Sequence, residues 1–434
     1  MKYLKKLGLL FVVLFALSAQ AQKLSHLEKK ILQHVDANNS KAIALLEKVV
    51  NINSGSLNIK GVKKVGAIFS DQFKAIGFTP SWKKMPVAMN RAGHLFCEIN
   101  TGKVKGKKLL LIGHLDTVFE EDSPFQTYNR KGAMAYGPGV DDMKGGDIII
   151  LYALKALYQV GALKNTQIIV AFSGDEEKAG SPISISRKDM IEAAKRSDIA
   201  LGFEGATGLN YATVARRSSG SWKIETTGVR AHSAGVFTEK VGAGAIYEMA
   251  RILNAFYEEL PEKNLTFNAA TIVGGTAVAF DKATNKGTTF GKTNVVPQKA
   301  IATGDIRCLT QDQINNTIAK MKAIVAKHLP QTTAKITFDL KYPPMAPTKG
   351  NYKILKVLDG ISQAMGQGKV EAYDPAKRGA GDISFVAQYV DALDGLGTMG
   401  GGSHTTKEYM ELNHFKDLTK RAALLIYRLI NTKS

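Results

Sequence analysis

Apolar positions along this chain follow two rhythms, and where they change the chain divides. From Ser25 to Ile52, the residues Leu27, Ile31, Val35, Ile43, Leu46 and Val50 recur at helical spacing and predict two helices broken near Asn38-Asn39. Val65 to Ile76 repeats that period, and Gly77-Phe78 ends it. Short continuous apolar runs then alternate with helical stretches: Leu109 to Gly113, a helix from about Gly145, Gln167 to Phe172, a helix through Met190 to Lys195, and Ile199 to Phe203. Apolar runs without alternation are strands covered on both faces. Their alternation with helices predicts an α/β fold with a mostly parallel sheet and helices on either side.

From Ser218 the pattern becomes strand, helix, strands, helix, strand. Trp222 to Gly228 alternates, Gly242 to Phe256 has helical spacing, and Leu265 to Val273 and Ala300 to Cys308 are strand-like. Thr310 with Gln313 forms a capping box for a helix carrying Ile314, Ile318, Met321 and Val325 on one face. Ile336 to Leu340 closes the unit and Pro343-Pro344 marks its exit. An α+β domain over 218–342 is therefore expected as an insertion between two parts of one domain, 22–217 and 343–434. In the second part, Ala392 to Met399 reads as a strand and Leu412 to Ile430 as the closing helix.

Residues 1–21 stand apart. Lys2, Lys5 and Lys6 precede an apolar core from Leu7 to Leu17, and Ala19-Gln20-Ala21 follows, the pattern of a cleavable signal peptide. The core is shorter than the ~20 residues that span a bilayer, and no Cys follows it to carry a lipid. A periplasmic or secreted protein without a stable membrane anchor is expected.

Net charge is +20, and removing the three signal lysines leaves +17. Such an excess favours anionic substrates or surfaces. The lysines are scattered, with no long basic run and no aromatic-basic interleaving, so nucleic acid is not the expected partner. The two cysteines, Cys97 and Cys308, are too few for a thiolate-only zinc site and sit in strand-like runs; an exported location permits a disulfide between them, and buried free thiols are the expectation.

The chemistry gathers where strands end. Leu109 to Gly113 delivers His114, with Asp116 two residues on, a spacing that suits a metal-ligating imidazole held by a carboxylate. Gly137-Pro138-Gly139-Val140-Asp141-Asp142-Met143-Lys144-Gly145-Gly146 places two acids in a glycine-rich turn. Ile168 to Phe172 runs into Ser173-Gly174-Asp175-Glu176-Glu177, and Leu201 to Phe203 leads to Glu204. Carboxylates at the exits of buried strands are costly unless something positive receives them. Open α/β sheets place their ligands at the carboxyl ends of the strands.

The segments GHLDTV, GPGVDDMKGG, SGDEEKAGS, FEG, RAHSAG and GGSHTT, in this order and spacing, resemble the dinuclear zinc metallopeptidases that include glutamate carboxypeptidase, aminoacylase, acetylornithine deacetylase and succinyl-diaminopimelate desuccinylase. The bacterial glutamate carboxypeptidases are the most similar, through AYGPGVDDMKGG and the stretch from Asn294 to Arg307. The resemblance implies two zinc ions per chain, with His114 and Glu204 on one, Glu177 and His404 on the other, and Asp142 bridging both. It implies a cis peptide between Asp142 and Met143, Glu176 as general base and proton donor, and Asp116 orienting His114.

It also implies that 218–342 is a lid or dimerisation domain on a zinc-hydrolase catalytic domain, and that the protein is a homodimer. His232 would steady the oxyanion, usually in the partner's site, and Asn294 and Arg307 would lie near the substrate carboxylate. Two departures stand out. Asp141 is an acid where the family often has a small residue, so it tunes the metal charge or faces water. Gly381, in Arg378-Gly379-Ala380-Gly381-Asp382, replaces a small hydroxyl residue of the substrate loop.

The function expected is hydrolysis of a peptide or amide bond next to a free carboxylate, with release of C-terminal glutamate in view. N-acyl-amino-acid deacylase or dipeptidase action would use the same machinery on a small peptide or N-acyl amino acid. A metal-free binding module is the rival from another class.

Overall fold

The structure, a computed structural model, describes residues 23–432, so the signal peptide expected over 1–21 lies outside the described residues. A six-stranded sheet organises the larger unit. From edge to edge its strands are Thr79–Lys83, His94–Asn100, Gln167–Ser173, Leu109–His114, Ile199–Gly202 and Asp391–Leu393. The pairings among the last four are parallel and the two at the opposite edge antiparallel, so the α/β sheet is mixed and mostly parallel, as expected.

Its strands are buried on both sides, which accounts for their unbroken apolar runs. Leu109, Leu111, Ile168 and Val170 face one core, and their chain neighbours Leu110, Ile112, Ile169 and Ala171 face the other. The first core is closed by helices His26–Val50, Lys144–Gln159 and Leu412–Ile430, which pack on one another. Phe172 meets Phe69 edge-on at 5.2 Å between ring centroids and Phe73 at 5.7 Å. Truncating such a buried ring costs about 3–5 kcal/mol.

One expectation fails here. His26–Val50 is a single helix of 25 residues, not two. Asn38 turns its side-chain amide back onto the carbonyl of His34 at 2.8 Å, staying within the helix rather than opening it, and Ala42, Leu46 and Val49 carry the buried stripe onward. Ser25 caps the helix by accepting from Glu28 N–H, while Glu28 accepts from Ser25 N–H at 2.8 Å. Glu28 also receives Arg428 at 2.7 Å, fastening the first helix to the last.

The segment beyond Ser218 builds a separate four-stranded sheet, in the order Thr266–Gly275, Lys299–Arg307, Ser219–Gly228, Thr332–Tyr342, all antiparallel. Helices Ala245–Glu259 and Gln311–Val325 cover it with their own apolar cluster around Trp222, Ile252, Phe256 and Met321. Thr310 caps the second helix, but Gln313 reaches back to Leu309 N–H rather than to Thr310. A hairpin, Ala277–Asp281 with Lys286–Phe290, extends this unit. The chain leaves and re-enters the larger unit side by side, where Arg216 and Met345 exchange both backbone hydrogen bonds at 2.9 and 3.0 Å. Cys97 and Cys308 are buried free thiols. No described helix is long and apolar enough to cross a membrane.

Candidate metal centre

Strands Gln167–Ser173, Leu109–His114 and Ile199–Gly202 lie side by side and parallel. Their carboxyl ends are therefore about 5 Å apart, and the residues that follow must meet. His114 ends the middle strand, Glu176 and Glu177 follow one neighbour after Gly174-Asp175, and Glu204 follows the other after Phe203. The turn before helix Lys144–Gln159 brings Asp142 across this edge, and the peptide from Asp142 to Met143 is cis. His404 arrives on the loop after Gly400–Gly401, in the left-handed region at φ 63°.

These side chains form two groups that share one member: His114, Asp142 and Glu204, and Asp142, Glu177 and His404. His114 Nε2 lies 3.2 Å from Asp142 Oδ1 and 3.8 Å from Glu204 Oε1. His404 Nε2 lies 3.3 Å from Asp142 Oδ2 and 3.1 Å from Glu177 Oε2. Asp142 thus turns one oxygen to each imidazole. Donors ~2.1 Å from a common tetrahedral ion stand ~3.4 Å apart, and the observed separations bracket that edge.

The electrostatics make the same point. Burial pushes the Glu204 carboxyl up to about 7, helped by Asp142, and burial also raises Glu177. Burial and Asp382 raise Glu176 well above the carboxylate range. Asp142 goes the other way, since its bonds to His114 and His404 outweigh its burial. Bonds to Asp142 and Glu177 raise His404 to about 11. His114 is raised too, with Asp116 and Asp142 overcoming the effect of burial. The four donors around Asp142 thus favour their protonated forms, which is the behaviour of a set arranged to receive positive charge. Two imidazoles and three carboxylates suit borderline divalent metals such as zinc.

A second layer of buried groups sets the geometry. Asp116 Oδ1 accepts from Glu176 N–H at 3.0 Å, and Oδ2 accepts from Glu177 N–H at 3.1 Å and from Ser56 Oγ at 2.6 Å. The nearer contact of His114 Nδ1 is the backbone oxygen of Asp116 at 3.0 Å, its carboxylate standing 3.5 Å away. Glu408 Oε1 accepts from Asp141 and Asp142 N–H at 2.9 and 3.0 Å, and Oε2 from Gly139 N–H at 3.1 Å. Arg187, wholly buried, bonds Asp175 at 2.5 Å and Asp382 at 2.6 Å, tying the Glu176–Glu177 turn to the loop that ends at Asp382.

Glu408 and Arg187 were not among the residues expected from sequence. An isolated charge in a loop or short helix breaks no periodicity, so nothing local marks it. Asp141 does not face water: it is 6 % exposed, and its Oδ1 accepts from Thr398 Oγ1 at 2.8 Å. His94 also has a structural setting, its ring bonded to Ser186 O at 2.7 Å and to Gly174 N–H at 3.2 Å.

The cluster opens into a cavity of about 690 Å³ that Glu176 lines without belonging to either donor group. His232, Asn294 and Arg307 are not among the residues lining it. All lie on the smaller unit: His232 and Asn294 are exposed, His232 Nδ1 accepts from Ala234 N–H at 3.2 Å, and Arg307 pairs with Asp305 at 3.2 Å.

Known proteins resemble this chain in sequence and in fold. Carboxypeptidase G2 of Pseudomonas sp. (strain RS-16) is 29% identical over 415 residues, 89% of each chain. The succinyl-diaminopimelate desuccinylase of Gluconobacter oxydans (strain 621H) is 25% identical over 72% of this chain and 79% of its own. Among solved structures, aminopeptidase PepT of Bacillus cereus superposes with a TM-score of 0.70 at 15% identity, over 90% of this chain and 99% of its own. The YXEP protein of Bacillus subtilis, described as a dinuclear metal-binding peptidase, does so at 0.64 and 13% identity, over 92% and 99%. The model of peptidase family M20/M25/M40 matches residues 110–428, from the strand that delivers His114 to the closing helix, and the chain belongs to that family of hydrolases.

Proposed function

We propose that this protein is an exported zinc-dependent exopeptidase of carboxypeptidase type, cleaving a peptide or amide bond beside a free carboxylate. The observation that carries the reading is Asp142, whose two oxygens face two separate imidazoles, each joined by its own glutamate. His114 and Glu204 would hold one ion, Glu177 and His404 the other, with Asp142 shared. Bound there, such ions supply Lewis-acid polarisation of the scissile carbonyl and a water that ionises near neutral pH.

The chain's own groups do the rest. Glu176 lines the cavity without a place in the donor set, which leaves its carboxyl free to take a proton from the attacking water and return it to the leaving amine. Asp116 holds Glu176 and Glu177 by their N–H groups, so base and ligand keep a fixed offset. His232, Asn294 and Arg307 are supplied in this reading by the smaller unit of a second copy in a homodimer. There His232 donates to the developing oxyanion, and Arg307 with Asn294 receives the substrate carboxylate.

The desuccinylase likeness supports a second reading, deacylation of N-acyl amino acids by the same groups. A panel of dipeptides, N-acyl amino acids and peptides ending in glutamate, incubated with the zinc-loaded protein and read by mass spectrometry, separates the two. Release of C-terminal residues from longer peptides supports the carboxypeptidase. Cleavage of N-acyl amino acids alone supports the deacylase, and no cleavage of any member would end both.

A further inference from the structure

One wall of the cavity carries positive charge that neither the donor set nor the proton transfer uses. Arg378 and Arg216 both line the cavity, together with Gly205, Tyr373 and Ala380. Arg216 is 4 % exposed and fully committed at its inner edge: Nε bonds Asp394 at 2.5 Å and Nη1 the carbonyl of Gly379 at 2.9 Å. Its Nη2 is buried without a partner.

Arg378 is less satisfied still. Nη2 donates to Gly205 O at 3.1 Å, Nε is buried with no partner, and among the described residues no carboxylate lies within ion-pair distance. Burial, and then the like charge of Arg216, hold its guanidinium below the usual arginine range. The nearby acids are engaged elsewhere: Asp394 holds Arg216 and Asp141 holds Thr398, while Glu204 belongs to the donor set. Gly381, noted in the sequence as a departure, sits against this wall: a Cβ there would meet Arg216 Cζ at an ordinary contact distance of 3.4 Å.

A desolvated cation with unused donors, on the wall of a substrate cavity, is what a planar bidentate anion fits. We infer that Arg378, backed by Arg216, forms an anion subsite on the Glu204 side of the cluster. It selects substrates that carry a carboxylate away from the scissile bond, in addition to the one adjacent to it. The ligand class is a dicarboxylic amino acid or a dicarboxylic acyl group. Arg216 acts as a positioning residue: it holds Gly379 and so fixes the backbone from which Arg378 extends. The inference rests on the proposed hydrolase reading, which supplies the substrate.

The test pairs acids with isosteric amides. On the amine side, peptides ending in Glu are compared with those ending in Gln; on the acyl side, N-succinyl amino acids are compared with N-succinamyl ones. With zinc-loaded protein, one arm should show a preference in kcat/KM for the acid of ~10- to 100-fold, the range expected for a hydrogen-bonded charge pair. That arm identifies the side that the subsite serves. Arg378→Met should collapse this ratio towards one, and Arg378→Lys should keep part of it, which a merely structural role would not reproduce.

Binding supplies an independent readout. Titration calorimetry of glutarate against its monoamide, on the zinc-loaded Glu176→Gln variant, should show the same preference, and adding Arg378→Met should remove it. Equal rates for acid and amide in both arms, or a preference that survives Arg378→Met in a folded variant, would overturn the subsite while leaving the hydrolase intact. Absence of all cleavage would instead defeat the hydrolase reading, and the calorimetry would still decide the subsite.

Discussion

Asp116 grips Glu176 by its peptide N–H, with Oδ1 accepting at 3.0 Å, while its other oxygen takes the N–H of Glu177. One buried carboxylate therefore sets the spacing between the proposed base and a proposed ligand, and its own backbone oxygen orients His114 from the other side. Asp116→Asn puts a donor where an acceptor is needed. Metal affinity and kcat should each fall by ~10- to 100-fold, as removal of such supporting partners typically does. Metal-buffered titration and steady-state kinetics on one preparation would check this, and unchanged affinity would reduce Asp116 to a folding residue.

Glu176 should separate from the ligands on mutation. Glu176→Gln keeps the shape and removes the proton acceptor, so turnover should drop by ~10²- to 10⁴-fold with metal content unchanged. Elemental analysis beside a rate assay distinguishes this from loss of a ligand, which would remove metal and rate together.

Metal uptake and protonation compete for the same imidazoles. In the metal-free protein the carboxylates raise His114 well above its usual value and His404 to about 11. Both imidazoles are then protonated at neutral pH and must lose those protons to ligate. Zinc uptake should release protons, and affinity should fall as the pH falls. Calorimetry in two buffers of different ionisation enthalpy measures the number released. The same raised values mean that the charged pairs stabilise the metal-free fold fully below about pH 6.5. His404 loses its share as pH rises through its folded value of about 11. A titration with no proton release would contradict the assigned charge state.

Arg187 contributes to stability. Its guanidinium is wholly buried between Asp175 and Asp382, and removing one partner of a buried ionic group strands the others. Arg187→Met should cost about 3–5 kcal/mol, read as a lower midpoint in denaturant. A shift below about 1 kcal/mol, the scale of a surface pair, would mean that the network is not what joins the Glu176 turn to the loop at Asp382.

How far the sequence reaches follows from where each residue sits. His114, Glu177 and Glu204 were legible because each ends an apolar strand, and the parallel order that follows from alternating strands and helices brings those ends together. The acids at 141–142 stand out through their glycines, which admit the close approaches seen around Gly139, while the choice of Asp142 between them, and His404 altogether, came from family likeness. Glu408 and Arg187 left no trace, since the contacts that give them their roles span the chain: Glu408 is 266 residues from Asp142, and Arg187, near Asp175 in sequence, is 195 from Asp382. The break expected at Asn38-Asn39 failed because helix propensity is a weak prior. A continuous buried stripe from Ile31 to Val49 outweighs two asparagines. His232, Asn294 and Arg307 became candidates only through family likeness, and a single chain places them away from the cavity.

In the proposed reading, five side chains hold two cations through one shared carboxylate. Zinc stoichiometry, measured by elemental mass spectrometry on the dialysed protein and on Asp142→Ala, is the sharpest check. Two ions per chain in the native protein, and a loss from both positions on removal of this one carboxylate, is the predicted result. Fewer than one ion per chain after zinc addition, or full occupancy without Asp142, would contradict it.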